Sequence, residues 1–134
     1  MTRIHKSYRI LIVDDDKTFL NIITELLQSV TERIVIETAT SGKECLKKVK
    51  KFSPNLVFLD IGMEGMNGLV TLRFIKSINS ETPVYLLTGH PKEYLKDAAG
   101  MVSADGYFTK PHFIDILREH RSLEMIMNAG KIKT

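Results

Sequence analysis

The residues best suited to chemistry are Asp14, Asp15, Asp60, Thr88 and Lys110, each standing at or just beyond the end of an apolar or β-branched run. Arg9-Ile10-Leu11-Ile12-Val13 stops at Asp14-Asp15-Asp16, and Leu56-Val57-Phe58-Leu59 stops at Asp60, followed by a glycine-rich stretch, Gly62 to Gly68. Pro83-Val84-Tyr85-Leu86-Leu87 runs into Thr88-Gly89-His90, and Ala104-Asp105-Gly106-Tyr107-Phe108-Thr109 into Lys110-Pro111. Carboxylates brought together repel one another, and a divalent cation bound through oxygen relieves the repulsion. Magnesium suits such a donor set, because it takes one or two carboxylates and keeps several waters. A threonine hydroxyl and a lysine ammonium on the other side would complete a cradle for a tetrahedral dianion. Phosphoryl transfer needs mainly positioning and charge neutralisation, and a carboxylate can serve as its nucleophile.

These residues converge only if the chain folds so that its strand tips share one edge. Between the strands, Leu20, Ile23, Leu26, Leu27 and Val30 recur at spacings of three and four, predicting a helix from Lys17 to Val30 that Asp16 can cap. Ile34 to Ala39 reads as the second strand. Ser41-Gly42-Lys43-Glu44 matches a capping box opening a helix through about Lys51, closed by Ser53-Pro54. Leu69, Leu72, Ile75 and Ile78 mark a third helix, and Pro91 fits the first position of a short one reaching about Ala99. Phe113, Ile116, Leu117, His120 and Leu123 form one stripe of a single final helix, with a frayed tail from Gly130 to Thr134. Five strands alternating with five helices imply right-handed crossovers and an α/β, doubly wound parallel sheet covered on both faces. Ligands of such sheets collect outside the carboxyl ends of the strands, where the five residues would meet.

The bulk composition narrows the classes. A chain of 134 residues, 43% hydrophobic and 26% charged, fits one domain with a real core. No window is apolar for long enough to span a bilayer, and the first residues carry no apolar segment of a secretory signal, so a cytoplasmic location and no membrane association are expected. Cys45 is alone, which excludes an internal disulfide and a metal-binding cysteine pair, and reads as packing. The net charge of +3 is mild, and Lys43, Lys47, Lys48, Lys50 and Lys51 read as a solvated helix face. Without a helix-turn-helix or zinc pattern, nucleic-acid binding is not expected. His90 and His120 form no metal cluster with other residues.

From about Arg9 to Arg121 the sequence resembles the receiver domains of two-component response regulators, on the acid pair after the first strand, Asp60, Thr88 and Lys110-Pro111 in that order and spacing. The resemblance implies a single flavodoxin-like domain with strand order 2-1-3-4-5, residues 122–134 forming a helix end and tail. It implies that Asp60 accepts a phosphoryl group from a sensor histidine kinase or a phosphotransfer protein. Asp15, Asp60 and the backbone carbonyl of Gly62 would hold Mg2+ directly, and Asp14 largely through water. Thr88 would then move to the phosphoryl group and Tyr107 turn inward, shifting the face made by the helix at 91–99, the fifth strand and the final helix. Output would be binding of a downstream protein, with a phosphorylation-dependent dimer left open, and with no enzymatic activity beyond self-phosphorylation and slow loss of the phosphate. The Lys110-Pro111 bond is expected to be cis.

The chain departs from the family beside its nucleophile. Met63-Glu64-Gly65-Met66 places Glu64 where the family commonly has proline, which would loosen the loop and weaken attraction for anionic donors. Gly62 and His90 fall two residues beyond Asp60 and Thr88, where family members tune the water that removes the phosphate. A competing reading rests on Asp14-Asp15-Asp16, which contains the Asp-x-Asp of haloacid-dehalogenase-type phosphatases and would make Asp14 the nucleophile of a turnover enzyme.

Overall fold

The computed structural model describes residues 7–30, 32–63, 68–89 and 104–131. The apolar runs become strands β1 (Tyr8–Val13), β2 (Ile34–Ala39), β3 (Leu56–Asp60), β4 (Val84–Thr88) and β5 (Gly106–Thr109). All four pairings are parallel, and the order across the sheet is β2-β1-β3-β4-β5, as expected. The helices among the described residues are α1 (Lys17–Gln28), α2 (Gly42–Phe52), α3 (Gly68–Ile78), α4 (Lys110–Glu119) and α5 (Leu123–Gly130). The helix expected at 91–99 and the positions of Glu64 and His90 lie outside the described residues.

Strand alternation sorts the core into two layers. Ile10, Ile12, Phe58, Tyr85, Leu87 and Phe108 face α1, α4 and α5, while Leu11, Val13, Val57, Leu59, Val84 and Leu86 face α2 and α3. A strand buried on both sides has no reason to alternate polar with apolar, which is why β1, β3 and β4 read as continuous hydrophobic runs. Phe113 of α4 fixes the first layer, with its ring 4.7 Å from Phe58 and 4.8 Å from Phe108 between centroids. Cys45 is fully buried in the second layer, and burial pushes its thiol up to about 12, so it packs as an apolar residue.

Helix ends follow their capping residues. Asp16 accepts from the backbone N–H of Thr18 and Phe19 and starts α1. Ser41 Oγ accepts from Glu44 N at 3.1 Å, but the return bond of the capping box reaches Thr40 N rather than that of Ser41. Ser53 ends α2 in the left-handed region at φ 48°. Replacing Ser41 with alanine is expected to cost about 1 kcal/mol, readable as a lower urea midpoint with an unchanged m value.

The C-terminal region differs from expectation. The helix drawn through Leu123 is two helices: His120 leaves α4 in extended conformation, and Ser122 caps α5 by accepting from Met125 N at 3.1 Å. The stripe period continues across the break, but Leu123 and Ile126 are buried as part of a separate turn toward β5 and the start of β1. Gly130 belongs to α5 instead of a frayed tail, because a side chain there would collide with the Phe108 ring, and Lys131 bridges Gly106 in antiparallel sense. No helix among the described residues is long and apolar enough to cross a membrane.

Candidate functional site

Each expected residue stands at a strand tip on the carboxyl edge of the sheet. Asp14 and Asp15 follow β1, Asp60 ends β3, Thr88 ends β4, and Lys110 follows β5. Register explains their convergence: Val13 pairs with Leu59 and Asp60 with Leu87, so Asp14 falls level with Asp60 and Thr88 one rung beyond it. Ligand oxygens of Asp14, Asp15 and Asp60 all lie within 4.8 Å of one another. Asp14 and Thr88 are fully buried, Asp60 is 4% exposed, and Asp15 opens to solvent.

Lys110 enters this group from the opposite side. Its Nζ lies 2.7 Å from Asp14 Oδ2 and 3.4 Å from Asp60 Oδ2, and rests 4.7 Å from the centre of the Phe19 ring. It reaches them without the expected cis bond: Lys110-Pro111 is trans, like every other described peptide bond. Pro111 sits in the first turn of α4, where its fixed φ is helical and its missing N–H forfeits no bond, so the ordinary trans form is accommodated. The contact to Phe19 has no sequence signal, since it joins the first turn of α1 to the start of α4.

The two oxygens of each buried acid are used differently. Asp60 Oδ1 accepts from Gly62 N at 2.8 Å, and Oδ2 faces Lys110. Asp14 Oδ1 accepts from Asp16 N at 2.9 Å. Asp14 Oδ2 is close enough to Lys110 for charge pairing, yet its approach lies outside hydrogen-bond angles, leaving a buried oxygen with no hydrogen bond among the described residues. The short contact is the better guide to its electrostatics. Burial raises the Asp14 carboxyl to about 6 against the lowering pull of Lys110 and of the Asp16 N–H, and the charge of Asp60 adds to the rise. For Lys110, burial pulls downward, but Asp14 and Asp60 outweigh it and hold the ammonium above its usual value. Among the described residues the site thus carries more negative charge than Lys110 neutralises, on all-oxygen donors with one buried oxygen unsatisfied. That donor set fits a hard divalent cation such as Mg2+.

Two other expected residues are placed as follows. Thr88 shares its sheet face with Leu86, and Leu86 pairs with Tyr107, so Thr88 and Tyr107 lie on one face of adjacent strands. Tyr107 is half-buried against the second core layer. Gly62 is exposed beside Asp60 and carries no side chain over it. One tie at the opposite, amino edge of the sheet was not expected: Asp105, ahead of β5, accepts from Lys76 Nζ and Val84 N, both at 2.8 Å, and ties α3 to β4 and β5.

The phosphatase reading centred on Asp14 is not supported by this arrangement. Asp14 is fully enclosed and held against Lys110, whereas Asp60 ends its strand beside the exposed Gly62. Comparison with known proteins agrees. Residues 10–121 match the response regulator receiver domain. A protein-glutamate methylesterase/protein-glutamine glutaminase from a Nocardioides species is 31% identical over 124 residues, covering 90% of this chain and 33% of that protein. The BeF3-activated receiver domain of DrrB superposes with a TM-score of 0.73 at 30% identity, covering 84% of this chain and 92% of that one. The CheX-CheY-BeF3-Mg+2 complex from Borrelia burgdorferi matches with a TM-score of 0.75 at 26% identity, covering 91% of this chain and 88% of that one. The chain spans only 25% to 42% of the length of the curated relatives it matches. With the acids, threonine and lysine standing on the strand tips of a 2-1-3-4-5 sheet and the match running through nearly all of it, the chain belongs to the response regulator receiver domain family.

Proposed function

We propose that this chain is a phosphoacceptor switch in which Asp60 takes a phosphoryl group from a phosphohistidine on a sensor kinase or phosphotransfer protein. The observation that supports it best is the environment of Asp60: a strand-tip carboxylate with one oxygen held by Gly62 N, the other facing Lys110, and two further acids within reach. An Asp60 oxygen forms the new P–O bond as the P–N bond to the donor imidazole breaks and the imidazole leaves. Asp15, Asp60 and the carbonyl of Gly62 would hold Mg2+, with Asp14 acting largely through a water. Bound there, the ion would neutralise charge on the phosphoryl oxygens. Lys110 would steady one of those oxygens, exchanging part of its pairing with Asp60.

Thr88 would bond the phosphoryl group and Tyr107 follow it inward, which their common sheet face supports. The populations of the face built from β5, α4 and the segment before β5 would shift, and a downstream protein or a second copy would read the shift. The BeF3 named for both structural relatives and the Mg2+ named for one of them favour this chemistry over hydrolysis of free phosphomonoesters.

Treatment with a small phosphodonor and Mg2+, followed by phosphopeptide mapping, tests the reading. Label on Asp60 is expected; label on Asp14, or turnover of many phosphomonoesters, would falsify it. Mg2+ alone is expected to stabilise the protein: at tenfold its dissociation constant the gain is about 1.4 kcal/mol, a rise of about 3–6 °C in Tm. Asp15→Asn is expected to abolish that rise, and a rise unaffected by the substitution would place the ion elsewhere.

A further inference from the structure

The basic charge of this chain is concentrated on one flank. Helices α2 and α3 carry Lys43, Lys47, Lys48, Lys50, Lys51, Arg73 and Lys76 against one acid, Glu44, although the whole chain is only +3. Two of these cations are committed. Lys48 reaches Glu37, Glu44 and the Thr38 carbonyl on the β2 side, and Lys76 reaches Asp105 and the Thr82 carbonyl on the β5 side. Lys43, Lys47, Lys50, Lys51 and Arg73 are exposed and pair with no acid among the described residues, Lys51 on the β2 side of α2.

The uncommitted cations other than Lys51 line an apolar stripe. Val70, Phe74 and Ile78, spaced i, i+4 and i+8 on α3, are 42%, 51% and 41% exposed. Lys48 and Lys76 mark the outer flanks of the two helices; on α2, Lys43 and Lys50 lean toward α3 while Lys47 stands on the solvent crest, and on α3, Phe74 and Ile78 lean toward α2 while Val70 stands near the crest. One depression confirms that they meet, since Lys50 and Ile78 both line it at the C-terminal ends of the helices.

We propose that this α2–α3 flank is a docking groove for an acidic amphipathic helix of a partner protein. Apolar side chains of such a helix recur every three or four residues, matching the four-residue spacing of Val70, Phe74 and Ile78, and serve as anchors. Acids beside its apolar stripe would face Lys43, Lys47, Lys50 and Arg73, setting orientation and association rate. A nucleic-acid backbone would use the lysines but leave the apolar stripe wet, and a flat lipid surface would not fill a concave depression. The inference stands apart from the phosphoryl chemistry, because none of these residues belongs to the strand-tip site.

The probe is a helical peptide of about 18 residues with Leu and Phe at i, i+4 and i+7 and Glu flanking them, titrated into the 15N-labelled protein. Saturable binding with Kd on the order of 10–100 µM is expected, with amide shifts confined to α2 and α3. Weakening of about tenfold is expected for the triple variant Lys43→Glu, Lys47→Glu, Lys50→Glu, and separately for Phe74→Ser. Val70→Ser substitutes if Phe74→Ser melts early by circular dichroism. Shifts elsewhere, no saturation, equal binding of a sequence-scrambled peptide, or insensitivity to either class of variant would overturn the proposal. So would tighter binding to duplex DNA or phosphatidylserine vesicles that Phe74→Ser leaves unchanged.

Discussion

Asp60→Asn is expected to lower phosphoryl acceptance from a small donor by at least about 10³-fold while leaving the protein folded and somewhat more stable. The amide keeps the size of the carboxylate, and its oxygen can still accept from Gly62 N, which now holds Asp60 Oδ1 at 2.8 Å. What is lost is the anionic oxygen that would bond phosphorus, and no neighbour can replace it: Asp14 is enclosed against Lys110, and Asp15 lies at the exposed rim. Stability should move the other way because the acids of the cluster repel one another. The charge of Asp60 contributes to the raised value of Asp14, so removing it relaxes Asp14 and leaves Lys110 to pair with a single buried acid. A gain on the order of 1 kcal/mol is expected in the absence of Mg2+, and a smaller rise in Tm on adding the ion than in the parent. Intact-mass measurement after phosphodonor treatment reads the first effect and thermal melts the second. Undiminished labelling would remove Asp60 from its role, and a large loss of stability would mean that the charge supports the fold.

How much of this was legible in the sequence depends on how local the cause is. Val13 to Asp14 and Leu59 to Asp60 are abrupt changes from apolar to charged, which only a buried strand ending at an edge explains, and the structure places both there. That these acids approach Lys110 required topology as well, because parallel crossovers bring strand tips together whatever lies between them. The break at His120 to Ser122 was hidden because Ile116, Leu117, His120 and Leu123 keep a helical period across it, and a stripe does not distinguish one helix from two. Ser122 was the available sign, as a residue that prefers to cap. The trans bond before Pro111 was missed for a different reason: the expectation came from resemblance, whereas the local position, in the first turn of a helix, favours the ordinary isomer. Lys110 resting on Phe19 joins residues far apart in the chain, and neither neighbourhood announces it.

The second large effect concerns that lysine. Lys110→Met is expected to destabilise the protein by about 3 kcal/mol at pH 8 and by much less at pH 5. In the parent, the Asp14 carboxyl is raised from 3.8 to about 6, so the folded state holds its proton more tightly than the unfolded chain. Stability from this group is therefore fully present below the unfolded value and is lost as pH rises through about 6, a span of about 3 kcal/mol by linkage. Lys110 limits the loss by lying 2.7 Å from the buried anion, and its own raised value keeps it charged throughout that range. Methionine preserves the aliphatic stem over Phe19 and removes only the charge. Asp14 then has no cation beside it among the described residues, its value moves further up, and the pH-dependent window widens toward neutrality. Urea melts from pH 5 to pH 8 should show the two proteins converging at the acid end and separating above pH 6. The double variant Asp14→Asn, Lys110→Met should recover most of the stability at pH 8 and flatten the profile, since neither the buried anion nor its counter-ion remains. An equal loss at both ends of the range would assign the role of Lys110 to packing against Phe19, and the charge argument would fail.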